Sequence, residues 1–143
     1  MTDELYHYGV KGMKWGVRRK RKKAAKARER DLSYTGRQSM NFAGMSNSFR
    51  KGERSLKARS DEEYADMFDD PELLELEGGA HKARLNQIKV YSEQADRYAK
   101  WAQDWADAHN EILNKSIDDY VSDMKVGKKI IDKILNNHPV RIG

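Results

Sequence analysis

The chain has 143 residues, enough for one domain at most. Hydrophobic residues make up 38% and charged residues 36%, against about 45–50% and about 25% in an ordinary globular domain. A core of the usual size is therefore not expected, and the absence of cysteine excludes disulfides, thiolate zinc sites and thiol catalysis.

The net charge of +5 hides a division. Residues 1–60 carry 17 Lys+Arg and 5 Asp+Glu, whereas 61–143 carry 11 and 18. Halves of opposite sign suggest two different tasks or head-to-tail association of like chains. No apolar run approaches the ~18 residues of a membrane span. The N-terminal charges have no hydrophobic stretch behind them, so a signal peptide is not expected.

In chain order, Gly9, Gly12 and Gly16 interrupt an aromatic and apolar segment holding Tyr6, Tyr8, Val10, Met13 and Trp15. Glycine loses the most backbone freedom on ordering, so this stretch is expected to break a helix. Residues 18–30 follow with nine Lys or Arg in thirteen positions. Ala24, Ala25 and Ala27 favour helix there, while like-charge neighbours oppose it. Residues 31–59, rich in Ser, Gly, Asn and Arg, read as a linker, with a short amphipathic turn at Phe42, Met45 and Phe49. Ser60 and Glu63 form a capping-box pattern that predicts a short helix from Asp61 to about Phe68. Asp70-Pro71-Glu72 predicts a second start, stopping at Gly78-Gly79.

From Ala80 to about Lys125 neither proline nor glycine intervenes. Tyr91, Ala95, Tyr98, Ala102, Trp105, His109 and Ile112 recur at alternating steps of four and three, a heptad seam. The pattern then slips by one to Leu113, Ile117, Tyr120 and Met124, which marks a bend or a local change of winding. Unbroken, this helix would be about 68 Å long and would need a partner helix or a second copy. Gly127 permits a turn, and residues 128–137 predict a last helix with Ile130, Ile131, Ile134 and Leu135 on one face, ended by Asn136, Asn137 and Pro139. The expected fold class is mainly α: a long helix or helical hairpin, coiled-coil-like, with short flanking helices and a flexible basic N-terminal arm. The expected divisions are a docking segment at 1–17, a basic run and flexible linker at 18–59, and an acidic helical domain at 60–143.

No constellation for catalysis emerges. His7, His81, His109 and His138 lack the spacing of a metal motif. The carboxylates at 69–77 sit where helix starts place them. There is no nucleophile elbow or phosphate-binding loop. Gly9 to Gly12 matches G-x-x-G, but without the helices and sheet that give that loop its meaning. His109 reads as a buried polar residue setting register, and Trp101 and Trp105 as packing residues rather than a stacking platform. A non-enzymatic protein without cofactor or metal is expected.

The stretch Glu4-Leu5-Tyr6-His7-Tyr8-Gly9-Val10-Lys11-Gly12-Met13-Lys14-Trp15-Gly16-Val17-Arg18-Arg19 resembles a short N-terminal signature, YHxGxxGMKWGxRR. That signature is carried by many proteins of tailed phages and prophages of Gram-positive bacteria. Those proteins often lie in head and structural gene neighbourhoods, on otherwise unrelated bodies. Tyr8 departs from the signature, which commonly has histidine there. The resemblance implies a phage origin and a place in the virion or the host cytoplasm.

The docking candidates are Tyr6, Tyr8, Gly9, Gly12, Met13, Trp15 and Gly16. Aromatic and sulfur side chains would fill a groove, and glycines would let the backbone lie close. The anion-binding candidates are Arg18, Arg19, Lys20, Arg21, Lys22 and Lys23, facing acidic protein or nucleic acid phosphates. The run lacks interleaved Trp, Phe or Leu, so a membrane partner is not expected. Candidates for helix association, within the chain or between copies, are Tyr91, Tyr98, Trp105, Ile112 and Ile117. The expected role is a virion-associated or head-assembly protein docking on a capsid or connector. The alternatives are an inhibitor of a host nucleic-acid machine, of anti-defence type, and a nonspecific nucleic-acid-binding accessory protein.

Overall fold

A computed structural model describes the backbone of residues 2–138 and the side chains of 15–73 and 75–138. It is mainly helical, with no strand among the described residues. The order is α1 (Thr2–Asp69), α2 (Pro71–Leu113), α3 (Ile117–Ser122) and α4 (Val126–Asn137). The chain divides into two compact units, one of residues 1–39 with 104–143, the other of residues 40–103.

The stretch read as a linker, 31–59, is helical throughout. Its inward face carries Asp31, Thr35, Gln38, Phe42, Ser46 and Glu53, all buried, and the series goes on to buried Ser60 and Met67. These positions step at near-heptad intervals, but most are polar. A period made of Asp, Thr, Gln and Ser gives no hydrophobic signal, which is why the stretch read as a loop. Ser60 likewise sits inside α1, and no helix starts there.

In the unit of residues 40–103, the two helical segments run antiparallel, since contact partners rise in number along one as they fall along the other. Phe42 meets Tyr98 and Trp101 at ring distances of 5.8 and 5.4 Å. Phe49 meets Tyr98 and Tyr91 at 5.7 and 5.6 Å. The Ser46 hydroxyl donates to the Ala95 carbonyl at 2.8 Å, giving a buried polar group its partner. Gly52 leaves room for the Tyr91 ring: a Cβ there would lie 2.7 Å from it. Farther along, Glu63 receives Arg84 Nε at 2.9 Å.

The turn between α1 and α2 follows the sequence reading. The Asp70 carboxylate accepts from the backbone N–H of Glu72 and Leu73 at 3.1 and 3.3 Å, and Pro71 is the first helical residue. The expected stop at Gly78-Gly79 does not occur, because α2 runs straight through both. Neither glycine has a positive φ, so neither makes the left-handed cap that ends a helix.

In the other unit, α2 ends at Leu113 rather than continuing to Lys125. The one-residue slip of the seam coincides with this break. Ser116 then opens α3 with a reciprocal capping box: its hydroxyl accepts from Asp119 N–H at 3.1 Å, while its own N–H donates to the Asp119 carboxylate at 2.8 Å. Ile117 therefore starts a new element, and Tyr120 is fully buried. Gly127, expected in a turn, lies in the first turn of α4 and is buried there. The apolar face expected for the last helix is present, with Ile130 and Ile131 buried.

Candidate interaction surface

Four polar contacts in the unit of residues 1–39 and 104–143 decide which side chains of α1 stay outside. Arg28 turns inward, donating from Nε to the Lys115 carbonyl at 2.9 Å and from Nη2 to the Leu113 carbonyl at 3.0 Å. These are carbonyls that the end of α2 leaves without helical partners. Arg21 pairs with Asp118. The Tyr120 hydroxyl donates to the buried Asp31 carboxylate at 2.8 Å. Burial, then this hydrogen bond, pushes the phenol well above its ordinary value. His109 Nδ1 lies 3.0 Å from the Leu32 carbonyl and 3.1 Å from the Thr35 hydroxyl, a half-buried polar clamp on the seam, where the sequence predicts a buried histidine.

What remains outside is ordered by the helix. The candidates Arg18, Arg19, Lys20, Arg21, Lys22 and Lys23 are all exposed. Arg19, Lys22, Lys23 and Lys26 border one shallow groove, at steps that put them on a single helical face. That face points away from buried Ala24. The basic run thus has two sides: Arg28 turns in on the end of α2, whereas a four-cation stripe faces water and Arg21, itself exposed, pairs with Asp118. Sequence reading gave all of 18–23 one role and missed the structural use of Arg21 and Arg28. Those two contacts join residues 85 to 97 positions apart, so no local pattern announces them.

Trp15 stands four residues before Arg19 and is 59% exposed; Gly16 beside it is exposed too. The other docking candidates, Tyr6, Tyr8, Gly9, Gly12 and Met13, lie outside the residues whose side chains are described. The helix-association candidates are used within the chain. Tyr91 and Tyr98 pack on Phe49, Trp105 meets Tyr34 at 5.5 Å, and Ile112 is fully buried. Ile117, in α3, is half-buried.

A second polar pair sits at the end of α4. His138 Nε2 lies 2.8 Å from the Asp104 carboxylate, beside an open cleft that also holds Asp107, Glu111 and Lys133. Among the described residues no three His, Asp or Glu gather as a metal cluster would require, and no helix is long and apolar enough to cross a membrane.

Fold and surface together define a mainly helical chain whose described residues present a cationic, tryptophan-bearing helical segment to solvent. Residues 1–22 match a family of unknown function (DUF7211). No curated protein and no solved structure matches the chain.

Proposed function

We propose that this chain is a virion-associated or head-assembly protein of a tailed phage, docking through its N-terminal segment and associating through its helices without chemistry of its own. One observation carries the reading. The part of the chain that matches a family ends at residue 22, and the described side chains at 15–20, together with Lys22, are exposed and make no core. A tryptophan kept in water costs hydrophobic free energy on the order of 2 kcal/mol against its burial, so an exposed one within a shared segment points to a partner. Tryptophan and arginine are also the side chains that dominate binding energy at protein interfaces. Trp15 supplies the anchor, residues 4–14 extend it, and the cationic stripe attracts acidic surface over a longer range.

Particle incorporation tests this. Trp15→Ala combined with Gly12→Val should leave helix content unchanged and abolish recovery of the protein in purified particles, measured by mass spectrometry against the lysate. Normal incorporation of the double variant rejects docking through this segment.

The stripe at Arg19, Lys22, Lys23 and Lys26 favours one second reading, a phage-encoded inhibitor or accessory factor acting on nucleic acid. It predicts presence in the lysate but not in particles. It also predicts binding whose log–log salt slope is about −0.9 per phosphate neutralised on duplex DNA. Neutralising the four cations should flatten that slope, and unchanged binding would reject the reading.

A further inference from the structure

The cationic face of α1 does not stop at Lys26. Arg19, Lys23, Lys26, Arg30, Ser33 and Arg37 step by four, three, four, three and four, which sets them in one row along the helix. All six are exposed. The row lies on the far side of the helix from Ala24, Asp31 and Thr35, which are buried in the same unit. From Arg19 to Arg37 it rises about 27 Å, at about 1.5 Å per residue. Between Leu5 and Gly52 the chain has Glu29 and Asp31 and no other acidic residue, so little opposes the charge of the row. Glu29 is set about 100° round the helix from Arg30. Asp31 is turned inward, where the Tyr120 hydroxyl donates to it, and its contact with Arg30 is 3.8 Å long.

The residue types in the row decide what it fits. It holds no aromatic or aliphatic side chain. Protein and membrane surfaces are held through an apolar centre, and single-stranded nucleic acid through aromatic stacking. Its five cations donate hydrogen bonds and accept none, so only the Ser33 hydroxyl could receive a ribose 2′-hydroxyl. What the row supplies is five charges of one sign, spaced along one helix. Duplex DNA is a stiff rod with one phosphate charge per about 1.7 Å of axis, about sixteen over the length of the row.

We propose that the row from Arg19 to Arg37 binds the phosphate backbone of duplex DNA without reading its sequence. The inference rests on the nucleic-acid reading above for its class of ligand and is independent of docking by residues 4–17. It adds the surface and the form of the ligand. Arg30 and Arg37, which lie outside the groove at Arg19, Lys22, Lys23 and Lys26, become contacts. Arg18 and Lys20, each about 100° from Arg19, do not.

Fluorescence anisotropy of a short labelled DNA duplex of mixed sequence, titrated with the full chain at several salt concentrations, tests the inference. Binding should weaken with salt at a log–log slope of about −4 to −5, from five cations at about −0.9 each. Arg30→Gln/Arg37→Gln should make that slope shallower by about 1.8 and weaken binding at low salt at least about tenfold. Arg18→Gln/Lys20→Gln removes the same charge away from the row and should shift the slope by less than half as much. All four positions are exposed, and both variants should keep their helix content by circular dichroism. Equal effects of the two variants overturn the proposal, because net charge alone would then explain binding. So does tighter binding of a single strand, of an RNA duplex or of polyglutamate than of the DNA duplex. If neutralising Arg19, Lys22, Lys23 and Lys26 flattens the slope and Arg30→Gln/Arg37→Gln does not, the row fails and the nucleic-acid reading stands. Absence of binding at low salt rejects both, and recovery in particles still reads docking separately.

Discussion

At the scale of single residues, the glycines separate two kinds of position. A Cβ on Gly127 would collide with the Asp31 carboxylate and the Tyr120 hydroxyl, a buried hydrogen-bonded pair. Gly127→Ala should therefore cost about 2–3 kcal/mol, as an overpacked site that also disturbs a buried hydrogen bond. A Cβ on Gly78 meets nothing within 4 Å. Gly78→Ala should stabilise by about 0.5–1 kcal/mol, through lower unfolded-state entropy and better helix propensity. Urea denaturation of both variants checks the opposite signs. Tyr120→Phe should cost about 1–3 kcal/mol by leaving the Asp31 carboxylate short of a donor. The phenol is raised in the folded state, so its contribution is complete below the unfolded value near 10 and is lost as pH rises through the folded one. An alkaline stability titration should therefore show a decline above about pH 10 that the Phe variant lacks.

At the scale of elements, helix ends were legible where a side chain caps its own backbone. Asp70 with Pro71 is such a case, and α2 starts where the residues say. The same rule misled at Ser60 and Glu63, because a capping-box pattern has force only where the helix has to begin. Continued burial of Ser60 and Met67 carries α1 past that point. The true capping box, Ser116 with Asp119, lay inside a stretch read as one helix and was announced only by the slip of the seam. Ser116→Ala should cost about 1 kcal/mol and raise amide exchange in α3. Hydrogen bonds from the Ser116 backbone and hydroxyl hold Asp119 below the usual carboxylate range. Lys129 and the Lys125 backbone do the same for Asp123. Depressed carboxylates stabilise the fold above their unfolded value of 3.8 and lose that contribution as pH falls through the folded values. Protection of the amides across 116–126, relative to the intrinsic exchange rate at each pH, should therefore hold at neutral pH and fall only below about pH 4.

At the scale of the whole molecule, apolar burial is thin and concentrated. Phe42 is almost fully buried and meets both Tyr98 and Trp101. Its facing helix contributes half-buried rings and alanines rather than a wide aliphatic face. Phe42→Ala should cost about 3–5 kcal/mol, a large share of the total for a chain this poor in apolar residues. Loss of a cooperative thermal transition for the unit of residues 40–103 is the expected result, and a melting temperature within a few degrees of the unsubstituted chain would contradict it. The positive half displays its stripe at Arg19, Lys22, Lys23 and Lys26, and half of the acidic residues of 61–143 lie between Asp61 and Glu77.

The helical class, the seam from Tyr91 to Ile112, the cap at Asp70 and the basic run were all determined by the sequence alone. Each rests on neighbours three or four positions apart, and helical periodicity reads at that range. Only the tertiary structure decided that 31–59 is helix. Its inward residues are mostly polar, and they are satisfied by partners such as Ala95 and Tyr120, 49 and 89 positions away. It also decided that Arg28 serves the fold while Arg19, Lys22, Lys23 and Lys26 line the surface. A run of like charges carries no sign of its own inner face, and only contact with Leu113, Lys115 and Asp118 supplies one.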